Sequence, residues 1–178
     1  MQEVTAPVSD KTYDELTRMF NLYRLSELNK RYYGQRAEFF ERLQTGALVI
    51  AAVLSAVALG ILLGIDNPNV RFVAAGLAGL SAVVTTAVQY LKWDDKARRF
   101  YFLHHSYGHL FAEIEVVLAE VRRSGEITDQ QLGSAKTLHD AFGRIEVLDE
   151  THPDRELIDK LDAEVRAAIP DDYIWNNL

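Results

Sequence analysis

The chain contains no cysteine, so disulfides play no part in its fold. Its polar parts suit a reducing compartment such as the cytosol. Charge is missing from a long internal stretch: between Leu43 and Leu91 the only formal charges are Asp66 and Arg71. Strand signals are missing as well, with no sustained alternation and no Asn-Gly or Asp-Gly pair. There is no P-loop, GxGxxG, GxSxG or cysteine nucleophile, which removes the readings that need a phosphate cradle or an activated nucleophile. The carboxylates are scattered over amphipathic patterns, as on solvated faces. No enzyme activity, cofactor or nucleic-acid partner is expected.

What fills the uncharged stretch is two apolar runs, Gly46–Ile65 and Phe72–Leu91, separated by six residues. About 20 apolar residues in a helix cross a hydrocarbon core of ~30 Å. The net charge of -7 and the mean hydropathy of -0.09 average over this apolar third and a charged remainder. The pattern predicts an all-α membrane protein: a two-helix transmembrane hairpin extended into a cytoplasmic helical stalk with C-terminal helices. The expected layout is a flexible N-terminus over 1–11, a cytoplasmic helix over 12–45, and the hairpin over 46–91. A cytoplasmic helical region over 92–169 and a tail over 170–178 complete it.

The first 45 residues carry charges throughout, without the apolar core of a cleavable signal. The first span is therefore expected to act as the insertion signal. Arg31, Arg36, Arg42, Lys92, Lys96, Arg98 and Arg99 flank the runs, against Arg71 alone in the connection. By the positive-inside rule both termini lie in the cytoplasm, with the Asp66–Arg71 turn outside. In a bacterium this is a multi-pass inner-membrane protein. Tyr32, Tyr33, Tyr90 and Trp93 fall at or near an aromatic belt.

Thr12 to Glu15 has the spacing of a capping box, followed by Leu16, Met19, Phe20, Tyr23, Leu28 and Tyr32 at helical intervals. Gly34 and Gly46 are the weak points of that helix. The second span is expected to run on without a break to Arg123. Its stripe is Phe100, Leu103, Tyr107, Leu110, Ile114, Val117, Leu118 and Val121, and Ser124-Gly125 stops it. Thr128 to Gln131 is a second capping box, opening a helix through Leu132, Leu138, Phe142, Ile145 and Leu148. A last helix runs from about Asp154 to Ile169. Glu150 to Leu178 has eight acidic and three basic residues, which is either a solvated face or a docking surface for a basic partner.

Small residues recur at every fourth position in both spans: Ala52, Ala56, Gly60 and Gly64 in the first, and Ala74, Ala78, Ala82 and Thr86 in the second. Such faces let backbones approach closely in lipid, within the hairpin or between subunits. Ser81, Thr85 and Gln89 form a polar stripe on the second span, with Ser55 available on the first. Polar side chains in hydrocarbon face protein or water. The stripe is therefore either interhelical bonding or a pore lining, and a pore needs several copies around an axis. His105, His109 and Glu113 share a helix face, but one face rarely closes a metal site, so no metal is expected.

Arg31 to Leu43 (RYYGQRAEFFERL), the small-residue spans, and Trp93 to Glu115 (WDDKARRFYFLHHSYGHLFAEIE) together resemble the SLATT family. Its members are two-transmembrane effector domains associated with SMODS nucleotidyltransferases and SLOG proteins in bacterial conflict systems. The resemblance covers roughly Thr12 to Ile169, including the helical unit around His152-Pro153. It implies an oligomeric, pore-forming membrane effector in antiviral defence, an ion channel released by an upstream sensor protein or nucleotide signal. The chain itself has no nucleotide-binding motif. The rival expectation is a non-conducting, membrane-anchored scaffold or receptor subunit that docks a cytosolic partner.

Overall fold

The computed structural model describes residues 10–64, 67–124, 127–171 and 173. Among them the chain is all-helical, with no strand: α1 (Asp10–Gly64), α2 (Pro68–Leu91), α3 (Trp93–Ser124), α4 (Asp129–Glu146) and α5 (Arg155–Ala168). Much of 1–11, most of 172–178, Ile65, Asp66 and Gly125, on which several of the expectations fall, lie outside the described residues.

α1 runs 55 residues and passes through Gly34 and Gly46 without interruption. It is already helical at Asp10, two residues ahead of the expected start at Thr12, whose side chain lies outside the described residues. Glu15 instead meets Arg18 on the exposed surface at 3.4 Å. α2 starts four residues ahead of Phe72. The Asn67 side chain accepts from the Asn69 N–H, and Pro68 stands in the first turn, where its missing N–H costs nothing. Arg71 therefore belongs to the helix and not to a connecting turn.

The expectation of an unbroken second helix is corrected at Lys92. This residue adopts φ 49° and ψ 45°, the only non-glycine with positive φ among the described residues. The left-handed conformation costs an L-residue about 1–2 kcal/mol. Its carbonyl also accepts the first bond of α3, from the Lys96 N–H at 3.1 Å. Asp94 and Asp95 occupy the first turn of α3, where the helix dipole favours negative charge.

The expected box before α4 is present with both bonds. The Thr128 N–H donates to Gln131 Oε1 at 2.9 Å, and the Gln131 N–H donates to Thr128 Oγ1 at 3.3 Å. α4 ends at Glu146, so Leu148 lies in the following turn. Asp154 caps α5 by accepting from the Leu157 N–H.

The chain divides into two compact units. One comprises the described residues up to Gly34 and from Phe102 onward; the other is Gln35–Tyr101. These boundaries fall about ten residues outside the apolar runs on each side. In the first unit the apolar stripes of four helices converge. α1 contributes Leu16, Met19, Phe20 and Tyr23, and α3 contributes Leu103, Tyr107, Leu110, Ile114 and Leu118. Ala135, Leu138 and Phe142 of α4 and Leu161 and Val165 of α5 close the core. Fully burying a large apolar side chain is worth about 1.5–3 kcal/mol, so this unit has a conventional driving force.

Candidate membrane-spanning unit

Residues Gln35–Tyr101 are organised differently. The apolar windows of the two helices long and apolar enough to cross a membrane are only 11% and 17% buried. The core helix of a soluble protein would be mostly covered. Leu48, Val49, Ile50, Val53, Leu59, Leu63, Phe72, Val73, Leu80 and Val83 are all exposed, far beyond the apolar patch a soluble monomer leaves open. α2 alone has 24 residues, about 36 Å of helix.

The less exposed positions of this pair are spaced alternately by three and four residues. On α1 they are Gln44, Ala47, Ala51, Leu54, Ala58 and Ile61, and on α2 Val70, Ala74, Leu77, Ser81, Val84 and Val88, with Thr85 beside Val84. This is the seven-residue repeat of helices packed at a shallow angle. Four of its buried residues, Ala51, Ala58, Ala74 and Ser81, are small, and Val88 is the larger fifth; the small ones permit close approach of the backbones.

Ser81 is 6% exposed. Its Oγ donates to the Ala51 carbonyl at 2.8 Å and lies 2.7 Å from Ser55 Oγ. Thr85 returns its hydroxyl to the Ser81 carbonyl at 3.0 Å. Gln89 is exposed. Of the four pore-lining candidates, Ser55, Ser81 and Thr85 thus form one hydroxyl cluster joining α1 to α2. Among the small residues, Ala74 is buried, whereas Ala52, Ala56, Gly60, Gly64, Ala78 and Ala82 are exposed. A Cβ at Gly60 or Gly64 would meet nothing within 4 Å. The two small-residue stripes therefore do not face one another within the chain.

Below the apolar stretch, α1 and α3 meet through aromatic rings and cations. Phe40 and Phe100 have centroids 5.6 Å apart. The Arg36 guanidinium and the Lys96 ammonium lie 5.2 and 5.3 Å from the Phe40 ring centre, within the range of cation–π attraction. Tyr101 donates to Glu41 Oε2 at 2.5 Å, which raises the phenol above its ordinary range.

The first unit holds a second polar arrangement, not anticipated from the sequence. Tyr32 and Tyr33 are buried in this unit and not in a membrane belt. Tyr32 Oη donates to Glu150 Oε2 at 2.8 Å and accepts from the Asp154 N–H at 2.9 Å. Tyr33 Oη accepts from the Glu150 N–H at 3.1 Å. Tyr107 donates to the Asp149 carboxylate at 2.8 Å, with its ring parallel to that of Tyr33 at 5.9 Å. Three phenols thus pin the connection between α4 and α5. Burial is the first cause that raises the phenols of Tyr33 and Tyr107. The neighbouring Asp149 adds to it in both, and at Tyr33 the bond from the Glu150 N–H pulls partly the other way. Tyr23, stacked on Phe111 at 4.3 Å, is raised by burial and then by Glu115. An adjacent Tyr pair on the buried stripe was the one visible hint of this loop-holding role.

Glu27, 6% exposed, is neutralised by Arg31 at 2.6 Å and Lys30 at 3.0 Å. His104 donates Nδ1–H to the Lys30 carbonyl at 2.8 Å; a carbonyl only accepts, so the proton sits on Nδ1. His109 lies 3.4 Å from Glu113, both exposed. His105 joins no metal-holding group of three, and none occurs among the described residues. Near the chain's end, Arg24 Nε donates to the Ile169 carbonyl at 2.8 Å and its guanidinium pairs with Asp171.

No protein-family model, curated protein or solved structure matches the chain.

Proposed function

We propose that the protein is an oligomeric, pore-forming effector of a bacterial antiphage or conflict system, seated in the inner membrane and gated from the cytoplasm. The observation that carries this reading is the apolar outer surface of the α1–α2 pair, which no protein contact covers. In lipid, that surface and the exposed Ala52–Ala56–Gly60–Gly64 face suit further helices. Here α1 and α2 cross as a hairpin, with both termini on the side of the flanking arginines and lysines. The resemblance to SLATT domains supports the same reading, with an upstream sensor or nucleotide signal as trigger.

The hydroxyl cluster narrows the lumen. With Ser55, Ser81 and Thr85 engaged in the helix pair, Gln89 is the side chain left to face water in an assembled ring. The same cluster favours the second reading, in which the hairpin only anchors a docking unit. Purified protein in a planar bilayer separates them. Discrete conductance steps, reduced by Gln89→Leu, are expected for the pore. Silence with and without cytosolic extract, together with a stoichiometric bound partner, carries the anchor reading instead.

A further inference from the structure

The seven-residue seam of α2 runs through Ala74, Ser81 and Val88. Continued along a straight helix, it would next reach Leu91 and Asp95, and both are exposed. The buried residues are instead Ala97 and Phe100, each two positions beyond Asp95 and Arg98, the successive seam positions of a straight helix, and Arg98 too is exposed. A two-residue offset is neither of the insertions of three or four residues that a continuous packed helix absorbs by winding. The offset is taken up at Lys92, in a left-handed conformation that neither glycine nor asparagine is present to ease. α1 is continuous through the same region. It holds α2 through Ser81 on one side of the break and α3 through Phe40, Phe100 and Tyr101 on the other.

We propose that Lys92 is a two-state hinge. In one state the chain bends there and both seams are packed on α1. In the other Lys92 turns right-handed, α2 and α3 form one helix, and one seam must leave α1. The intermediate positions bury neither seam, so the change is a switch between discrete packings and not a gradual flexing. The acidic pair Asp94–Asp95 favours the bent state, because it stands at a helix start only when the ladder is broken. Continuity of the helix favours the straight state.

That the switch opens the membrane path rests on the pore reading above; the hinge itself does not. The chain has no cysteine of its own, so Val83→Cys and Arg98→Cys, both at exposed positions, accept spin labels selectively. Dipolar distances are measured in vesicles of phosphatidylethanolamine and phosphatidylglycerol. An unbroken helix separates the two α-carbons by about 22 Å, and the bent chain by less. Lys92→Ala should move the population toward about 22 Å and Lys92→Gly away from it, the two variants differing on the order of fivefold in the ratio. Identical distributions in all three chains, or a single 22 Å population in the parent, would overturn the hinge. Dye release from the same vesicles should move in opposite directions in the two variants. Release that occurs but ignores both substitutions overturns the gating role. Shifted distances with no release from any chain uphold the hinge and sink the pore.

Discussion

Gly34 and His104 approach so closely that position 34 admits no side chain: a Cβ there would lie 2.9 Å from His104 Nδ1 and 3.2 Å from its Cε1. The ring is held at that spot by its bond to the Lys30 carbonyl. Gly34→Ala would gain about 1 kcal/mol of helix propensity, yet overpacking costs about 1–3 kcal/mol. The substitution is therefore expected to lower the melting temperature, followed by circular dichroism in detergent. Adding His104→Ala should recover most of the loss. A Gly34→Ala chain as stable as the parent would mean that the ring yields freely.

The three phenols that hold the α4–α5 connection make a second test. Tyr107→Phe removes the donor to Asp149 while preserving the packed ring. Leaving a half-buried carboxylate short of a donor costs about 1–3 kcal/mol. Limited proteolysis should cut within residues 147–154 faster in Tyr107→Phe and Tyr32→Phe than in the parent. Unchanged cleavage would show that ring packing alone secures the loop.

The same phenols set an alkaline limit. Tyr23, Tyr33 and Tyr107 are raised above the ordinary value of 10.0, chiefly by burial. A group whose folded-state value is raised binds its proton more tightly when folded. The stabilisation is complete below pH 10 and is lost as the pH climbs beyond it, because the unfolded phenols ionise first. Thermal scans of the helical unit should show a falling melting temperature above about pH 10, shallower in Tyr107→Phe. A flat profile to pH 12 would contradict the burial.

Two neighbouring small residues on α1 should respond in opposite ways. Ala58 is 2% exposed and lies in the seam with α2, so Ala58→Leu should break the helix pair and the fold of this unit. Gly60 opens onto empty space, so Gly60→Leu should leave the single chain intact. Crosslinking in membranes should show fewer oligomers for Gly60→Leu. An unaltered oligomer ladder would place the subunit contact elsewhere.

The apolar helices and the buried stripes of the flanking helices were legible because period and hydropathy are local properties. Thr128–Gln131 was legible for the same reason. The step at Lys92 was not. Its sequence carries no Gly, Pro or Asn, and the break follows from a register conflict along α1 that only the packed structure displays. Ser81 was read as one member of a polar stripe, but periodicity cannot tell an interhelical bond from a water-facing one. The role of Tyr107 depended on partners 42 residues away, beyond the reach of any spacing rule.

If α1 and α2 span a membrane as a pair, the bond from Ser81 to the Ala51 carbonyl also bears on their insertion. Inserted one at a time, α2 would carry the Ser81 hydroxyl through hydrocarbon with only its own backbone for company. Only three residues separate α1 from α2, so the two can pair before either is released into lipid. A hairpin inserted as a pair would carry the hydroxyl across already bonded, and a single cross-helix contact would then set the order of insertion.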